Sequence, residues 1–332
     1  MLDLRISEIL GSMPGRRVLV VGDVMMDEYV LGKVRRISPE APVMVVEVDR
    51  DSCTPGGAAN VVNNIQALGG IASIVGVVGD DENGRLLCSQ LAERGVDVSG
   101  VVVDSSRPTT RKTRIIAHSQ QVVRVDRESK KRLSDKIVKQ VVSYLKQKVD
   151  ESDIILFSDY DKGMAVPGIT QTLISLASAQ GKRVIVNPKP RNLKQFSNAF
   201  LVSVNQSEAE AGSRVTISCD DDLTRAARGM FNPKTGVPEV VLITRGPDGM
   251  SLFTPDGGMV TVPAHPVEVY DVAGAGDTVV SVLSLSIAAG ATVHESAILA
   301  NGAGAAVVRK VGVAAVTREE IAGIMRNGGS DT

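Results

Sequence analysis

The chain has 332 residues, with 37 Lys+Arg against 38 Asp+Glu and a net charge of −1. That balance gives no general attraction to nucleic acid or to a membrane surface, and aromatics at 3% without Trp leave no stacking platform for single strands. Cys53, Cys88 and Cys219 stand alone with no CxxC pair, so neither a zinc site nor a disulfide framework is indicated.

Met1–Leu10 reads as a short amphipathic helix with acidic residues and lacks the apolar core of a signal peptide, which predicts a cytoplasmic protein. Arg16–Gly22 is a buried strand ending in a glycine turn, but neither GxGxxG nor GxxxxGK[ST] follows. Asp27 is expected just past that strand's C-terminal end, where open α/β sheets bind ligands. It either holds paired sugar hydroxyls or is an exposed turn aspartate. Residues 35–42, with two prolines and two arginines, read as a loop leading into a small accessory sheet.

Pro55–Gly70 carries Ala58, Val61, Val62, Ile65 and Leu68 at helical spacing. Gly56 and Gly57 open this helix and let a ligand approach the backbone, with Asn60 in reach, or they form a plain hinge. Residues 109–126 give two further short strands outside the βα alternation. There Lys112 and Arg114 alternate onto one face, suited to a phosphate or carboxylate or simply a solvated basic face.

From Ile71 on, apolar strands (74–78, 154–157, 184–186, 201–204, 240–243) alternate with helices near 82–95, 134–149, 165–180 and 220–231. This is the pattern of a mostly parallel sheet covered on both faces. Each strand end carries polar groups: Ser158-Asp159-Tyr160, Asn187-Pro188-Lys189, Asn205 to Glu208 and Thr244-Arg245-Gly246. Their recurrence at one sheet edge marks that edge as an active site. Asn205 and Glu208 bracket a helix entry and either approach Mg²⁺, directly or through water, or cap the helix. The Thr244–Gly249 turn either meets phosphates through Arg245 and its N–H groups or is an ordinary hairpin. His118, His265 and His294 have no ligand spacing. Asn327–Thr332 is expected to fray.

The remaining stretch, 271–290, organises the rest. Gly274, Ala275 and Gly276 form a tight turn before Asp277, and an apolar run follows to Gly290. It predicts a helix buried on all sides, stopped by Gly290. The N–H groups and dipole at its start suit an anion, and Asp277 stands at the same point. Phosphoryl transfer needs both: donors for the moving phosphoryl and a base for the attacking hydroxyl. The plain alternative is a capping aspartate.

Gly56–Asn60, Asn205–Glu208 and Asp271–Asp277 resemble, in order and spacing, the motifs of the ribokinase-like (phosphofructokinase-B type) sugar kinases, across almost the whole chain. The resemblance implies an α/β ribokinase-like fold over 1–332, with a small β lid from about 33–54 and 107–126 and no nucleotidyltransferase domain. Within that family, Gly22–Asp27, Arg36–Pro42, Pro55–Asn60, Gln120–Gln121, Ser158–Gly163 and Val269–Asp271 are similar to the heptose 7-phosphate kinases.

This narrower likeness implies ATP- and Mg²⁺-dependent phosphorylation of D-glycero-β-D-manno-heptose 7-phosphate at C1, on the route to ADP-heptose, with a separate adenylyltransferase downstream. Other sugars or sugar acids, and a catalytically silent nucleotide-binding module, are the alternatives. By resemblance, Asp277 is the base and Gly274, Ala275 and Gly276 form the anion hole. Asp27, Gly56, Gly57, Asn60, Lys112, Arg114, Asp159 and Lys162 bind the sugar phosphate. Asn205, Glu208, Thr244, Arg245, Gly246, Gly249 and Asn301 line the ATP side, and Asp271 approaches a monovalent cation such as K⁺. A homodimer through the lid strands is implied. Asn187 and Val313 depart from the heptose-kinase pattern, which has Asp and Thr there.

Overall fold

The structure is a computed structural model that describes residues 2–118, 120–196, 198–231 and 238–327. The expected fraying of Asn327–Thr332 falls, apart from Asn327, outside them. The chain begins with α1 (Leu2–Ser12), β1 (Arg17–Gly22), β2 (Val24–Ile37), β3 (Met44–Gly57), α2 (Ala58–Ala67), β4 (Ile71–Val78), α3 (Glu82–Glu93) and β5 (Asp97–Val103). It continues through β6 (Arg111–Ala117), β7 (Gln120–Arg127), α4 (Asp135–Lys148), β8 (Ile154–Ser158), α5 (Pro167–Ala179), β9 (Val184–Asn187), β10 (Leu201–Asn205), α6 (Gln206–Ser213) and α7 (Asp220–Met230). It closes with β11 (Val240–Thr244), β12 (Met250–Phe253), β13 (Met259–Val262), α8 (Ala275–Ala288), α9 (Val293–Val307) and α10 (Arg318–Asn327).

Nine strands form one sheet in the order β13-β12-β11-β10-β9-β8-β1-β4-β5. All neighbouring pairs from β11 to β5 are parallel, and β12 and β13 add an antiparallel edge. Apolar runs such as Val18–Val21 and Ile154–Phe157 are buried on both faces, as helix-covered parallel strands must be. One core cluster lies under α1, α2, α8, α9 and α10, the other under α4, α5 and α7.

Helix α8 is the expected buried helix: every residue from Asp277 to Ile287 is buried. Its serines are tolerated because their hydroxyls donate back to carbonyls one turn earlier, Ser281 to Asp277 O (2.7 Å), Ser284 to Val280 O (2.8 Å) and Ser286 to Val282 O (2.6 Å). Gly290, with φ of 90°, stops the helix as Ala291 N–H returns to Ser286 O.

A second sheet, β3-β2-β6-β7, projects from the first. The sequence reading underestimated it. Arg35 to Ile37 extend β2 rather than form a loop, and Pro55 to Gly57 end β3. Asp27 is also corrected: β1 stops at Gly22, the chain leaves the large sheet, and Asp27 sits inside β2. A pattern of one strand per apolar run misses a ribbon whose side chains are half exposed.

Candidate active site

The large sheet has its switch point between β8 and β1, where the chain runs outward in opposite directions. At the C-terminal edge the register aligns Gly22 with Ser158, Ser158 with Asn187, and Asn205 with Thr244. The polar strand ends therefore stand in one row. They border a cleft of about 150 Å³ lined by Tyr160, Asn187, Lys189, Asn205, Glu208, Thr244, Gly274, Gly276 and Asp277, among others.

Asp277 enters this cleft from the first turn of α8. Gly274 caps the helix with φ of 79°, a left-handed conformation that glycine adopts without cost. Ala275 N–H donates to Val272 O (3.2 Å), so of the three groups expected in the anion hole this one has a partner in the chain. The Gly276 and Asp277 N–H groups fall among the first-turn donors that no helix can satisfy internally.

The Asp277 carboxylate accepts from Asn60 Nδ2 (2.7 Å) and from the Tyr160 hydroxyl. Burial raises its pKa to about 6, while those two hydrogen bonds and the charge of Lys189 pull the other way. Behind Asn60, Asn64 Nδ2 donates to Asn60 O (3.0 Å), and Thr278 Oγ1 donates to Asn64 Oδ1 (3.0 Å), so α2 and α8 are locked side by side.

Two buried acids that are not in the cleft shape its floor. Asp23 accepts from the backbone N–H groups of Tyr160 (2.8 Å), Lys162 (3.0 Å) and Met164 (3.0 Å), and burial raises it to about 6. Asp159, expected to bind substrate, is fully buried below the cleft. It accepts from Asp161 N (2.8 Å), Lys189 N (2.9 Å) and Asn192 Nδ2, and so ties the β8 and β9 loops together.

On the other side of the cleft, Asn205 and Glu208 form a complete capping box (Oδ1 to Glu208 N 2.8 Å, Oε2 to Asn205 N 3.0 Å). Glu208 Oε1 also accepts from Lys189 Nζ (2.6 Å). Both residues still border the cleft, so capping and cleft lining coexist. Asn187 turns its amide to Ser203 O (2.8 Å), a bond a carboxylate cannot make.

Thr244 lines the cleft, but Arg245 turns to Asp220 at the start of α7 (3.4 Å) and to Asp248 O (3.2 Å) within the β11–β12 hairpin. Gly246 and Gly249 carry that turn at φ of 57° and 79°, and a Cβ on Gly249 would lie 2.1 Å from Val262 O. Asn301 donates to Pro263 O (2.6 Å), and Asp271 accepts from Ala273 N (2.9 Å) and Gly312 N (2.9 Å). These five residues hold loops of their own chain.

The second sheet carries Asp27 on β2 and Lys112 and Arg114 on β6, and Lys112 lies beside Tyr160 of the cleft wall. Asp27 pairs with Arg114, whose guanidinium lies 5.3 Å from the Tyr29 ring centre. Lys162 pairs with Glu128 (2.6 Å). Lys112 has no ion pair among the described residues; its Nζ lies 5.7 Å from the Tyr160 ring centre, and burial lowers its pKa, as does nearby Lys162. Gly56 and Gly57 sit beneath Asp27. A Cβ at Gly56 would lie 2.2 Å from Asp27 Oδ2, and one at Gly57 2.5 Å from Asp23 O.

Sequence reasoning noted Tyr160 and Lys189 as strand-end residues but did not include them in the site, and it missed Asp23. Their roles depend on three strand ends converging. The one signal was that the Tyr and Lys each follow a strand end by two residues.

No described helix is long and apolar enough to cross a membrane. Among the described residues no cluster of three or more His, Cys, Asp or Glu could cage a metal ion.

Residues 16–320 match the model of the pfkB family carbohydrate kinases. The chain is 45% identical over 305 residues to "Bifunctional protein HldE" of Desulfatibacillum aliphaticivorans and 43% identical over 305 residues to that of Geobacter sulfurreducens, covering 92% of this chain and 62% of each relative. It thus spans less than two thirds of the length of these curated relatives. The fold is that of phosphofructokinase-2 from Escherichia coli in complex with potassium (TM-score 0.78, 23% identity, 95% of this chain and 99% of that one). It is also that of Arabidopsis thaliana ribokinase complexed with ribose and ATP (TM-score 0.73, 18% identity, 94% and 99%). The buried aspartate at a glycine-capped helix start and the polar strand-end row thus sit in a chain that belongs to the pfkB family of carbohydrate kinases.

Proposed function

We propose that this sugar kinase transfers the γ-phosphoryl of ATP to the C1 hydroxyl of D-glycero-β-D-manno-heptose 7-phosphate, giving heptose 1,7-bisphosphate and ADP for ADP-heptose and lipopolysaccharide core synthesis. The observation that carries the chemistry is Asp277, buried in the cleft, with a carboxyl near pKa 6 beside the start of α8. A base poised close to the working pH takes the hydroxyl proton as the oxygen attacks. The Gly276 and Asp277 N–H groups and the helix dipole lower the cost of the charge on the moving phosphoryl. Turnover should therefore fall as pH drops through about 6, where Asp277 gains a proton.

Lys112 and Arg114 are the proposed contacts for the C7 phosphate, with Asp27, Gly57 and Asn60 toward the sugar. Of the two cations, Lys112 is the stronger candidate, because Arg114 is already neutralised by Asp27. Mg²⁺ prefers one or two protein oxygens, water and substrate phosphates. Asn205 and Glu208 would hold it through water, and it would neutralise phosphate charge. A monovalent cation beside Asp271 is a lesser part of this reading. The exposed Ile37, Met44, Val48, Val123 and Val125 of the second sheet support a homodimer through it. The reading places the enzyme in the cytoplasm and leaves adenylyl transfer to a different active site.

The test is coupled ADP release with Mg-ATP, comparing the heptose 7-phosphate with ribose, fructose 6-phosphate and 2-keto-3-deoxygluconate. Selective turnover of the heptose phosphate is expected. Preference for another sugar would overturn the substrate and keep the kinase.

A further inference from the structure

We infer that Tyr160 is a positioning residue for Asp277, holding the carboxylate so that its free lone pairs face the acceptor hydroxyl. The inference rests on the reading of Asp277 as the base. Two donors approach the carboxylate from different elements, the Tyr160 hydroxyl on one oxygen and Asn60 Nδ2 on the other at 2.7 Å. A carboxylate held at both oxygens cannot swing about its last bond, and each oxygen keeps a lone pair for the cleft.

Tyr160 is itself held at both ends. Its backbone N–H donates to buried Asp23 (2.8 Å), which also accepts from Lys162 and Met164 and so fixes the loop after β8. Two ammonium groups lie near its ring, Lys112 Nζ at 5.7 Å and Lys189 Nζ at 5.4 Å from the ring centre. Attraction of both cations to the ring's π face helps hold its plane.

The charged groups facing this Tyr–Asp pair are Asp27 from β2, Lys112 from β6, Lys189 after β9 and Glu208 on α6. Burial, and then the charge of Asp277, hold the phenol well above its ordinary pKa, so it stays a donor throughout the working range. Its bond favours the ionised form of Asp277.

Tyr160→Phe keeps the ring and removes only the donor. We expect kcat to fall about 10- to 100-fold, consistent with loss of orientation, with KM for Mg-ATP changed less than about twofold. The acid limb of the pH profile should move up by roughly half to one unit, because the ionised carboxylate loses a hydrogen bond. A 3-fluorotyrosine at position 160, a stronger donor, should move the limb down. Unchanged kcat and an unmoved limb in Tyr160→Phe, with Asp277→Asn inactive, would overturn this inference alone. Full activity of Asp277→Asn would overturn the base reading beneath it.

Discussion

Two glycine pairs, each beside an aspartate, teach opposite lessons. At Gly56 and Gly57 the space of the missing Cβ atoms is filled by the protein itself, by the Asp27 carboxylate and Asp23 O. At Gly276 a Cβ would meet nothing within 4 Å, and at Gly274 it would touch only Asn60 Nδ2 and Val313, at 3.1 and 3.6 Å. The acids differ in the same way: Asp27 is paired with a guanidinium, while Asp277 faces the cleft held only by neutral donors. One pair packs the end of β3 against the start of β2, and the other leaves room for a ligand.

The largest effect should come at the open site. Asp277→Asn is expected to lower kcat by about 10²–10⁴ while leaving Mg-ATP binding intact, read by single-turnover kinetics and calorimetry. Its fold should survive at neutral pH. The folded pKa of about 6 lies above the ordinary carboxyl value of 3.8, so the stability tied to this group is full below the unfolded pKa and gone once pH rises through 6. Near-wild-type turnover would contradict the role.

Gly276→Ala sharpens the contrast. The position is helical, so the fold should hold or gain up to about 1 kcal/mol, yet a methyl group in the cleft should cut kcat/KM by about 10- to 100-fold. Gly56→Ala should do the reverse, lowering stability by about 1–3 kcal/mol in denaturant melts as the Asp27 carboxylate is pushed aside. Equal stability losses in both variants would dissolve the comparison. Smaller still, Lys112→Ala should raise KM for the sugar phosphate about tenfold with kcat little changed, the loss of one charge-assisted hydrogen bond. An unchanged KM would move the phosphate contact elsewhere.

Six parallel strands of the large sheet were readable because strands buried on both faces are continuous apolar runs, and α8 because its apolar run follows a glycine turn; β5 and β13, partly exposed, gave no such run. The second sheet was only half readable: β2 and β3 are each 14 residues long and mix exposed charges with apolar side chains, which blurs the two-residue period. In the site, Asp277 and Asn60 were legible from local motifs. Asp159 misled because a strand-end carboxylate looks the same whether it faces the cleft or ties loops beneath it. Tyr160, Lys189 and Asp23 act across three strands, and no local spacing encodes that convergence.

The most direct measurement is the ³¹P NMR spectrum of the product formed from heptose 7-phosphate and Mg-ATP, for wild type and Asp277→Asn. The predicted result is a second sugar phosphorus resonance coupled to the anomeric proton, with the 7-phosphate retained, formed by wild type and formed about 10²–10⁴-fold more slowly by Asp277→Asn. ADP formed without that resonance, or the same resonance arising at equal rate from the variant, would contradict transfer to C1 with Asp277 as base.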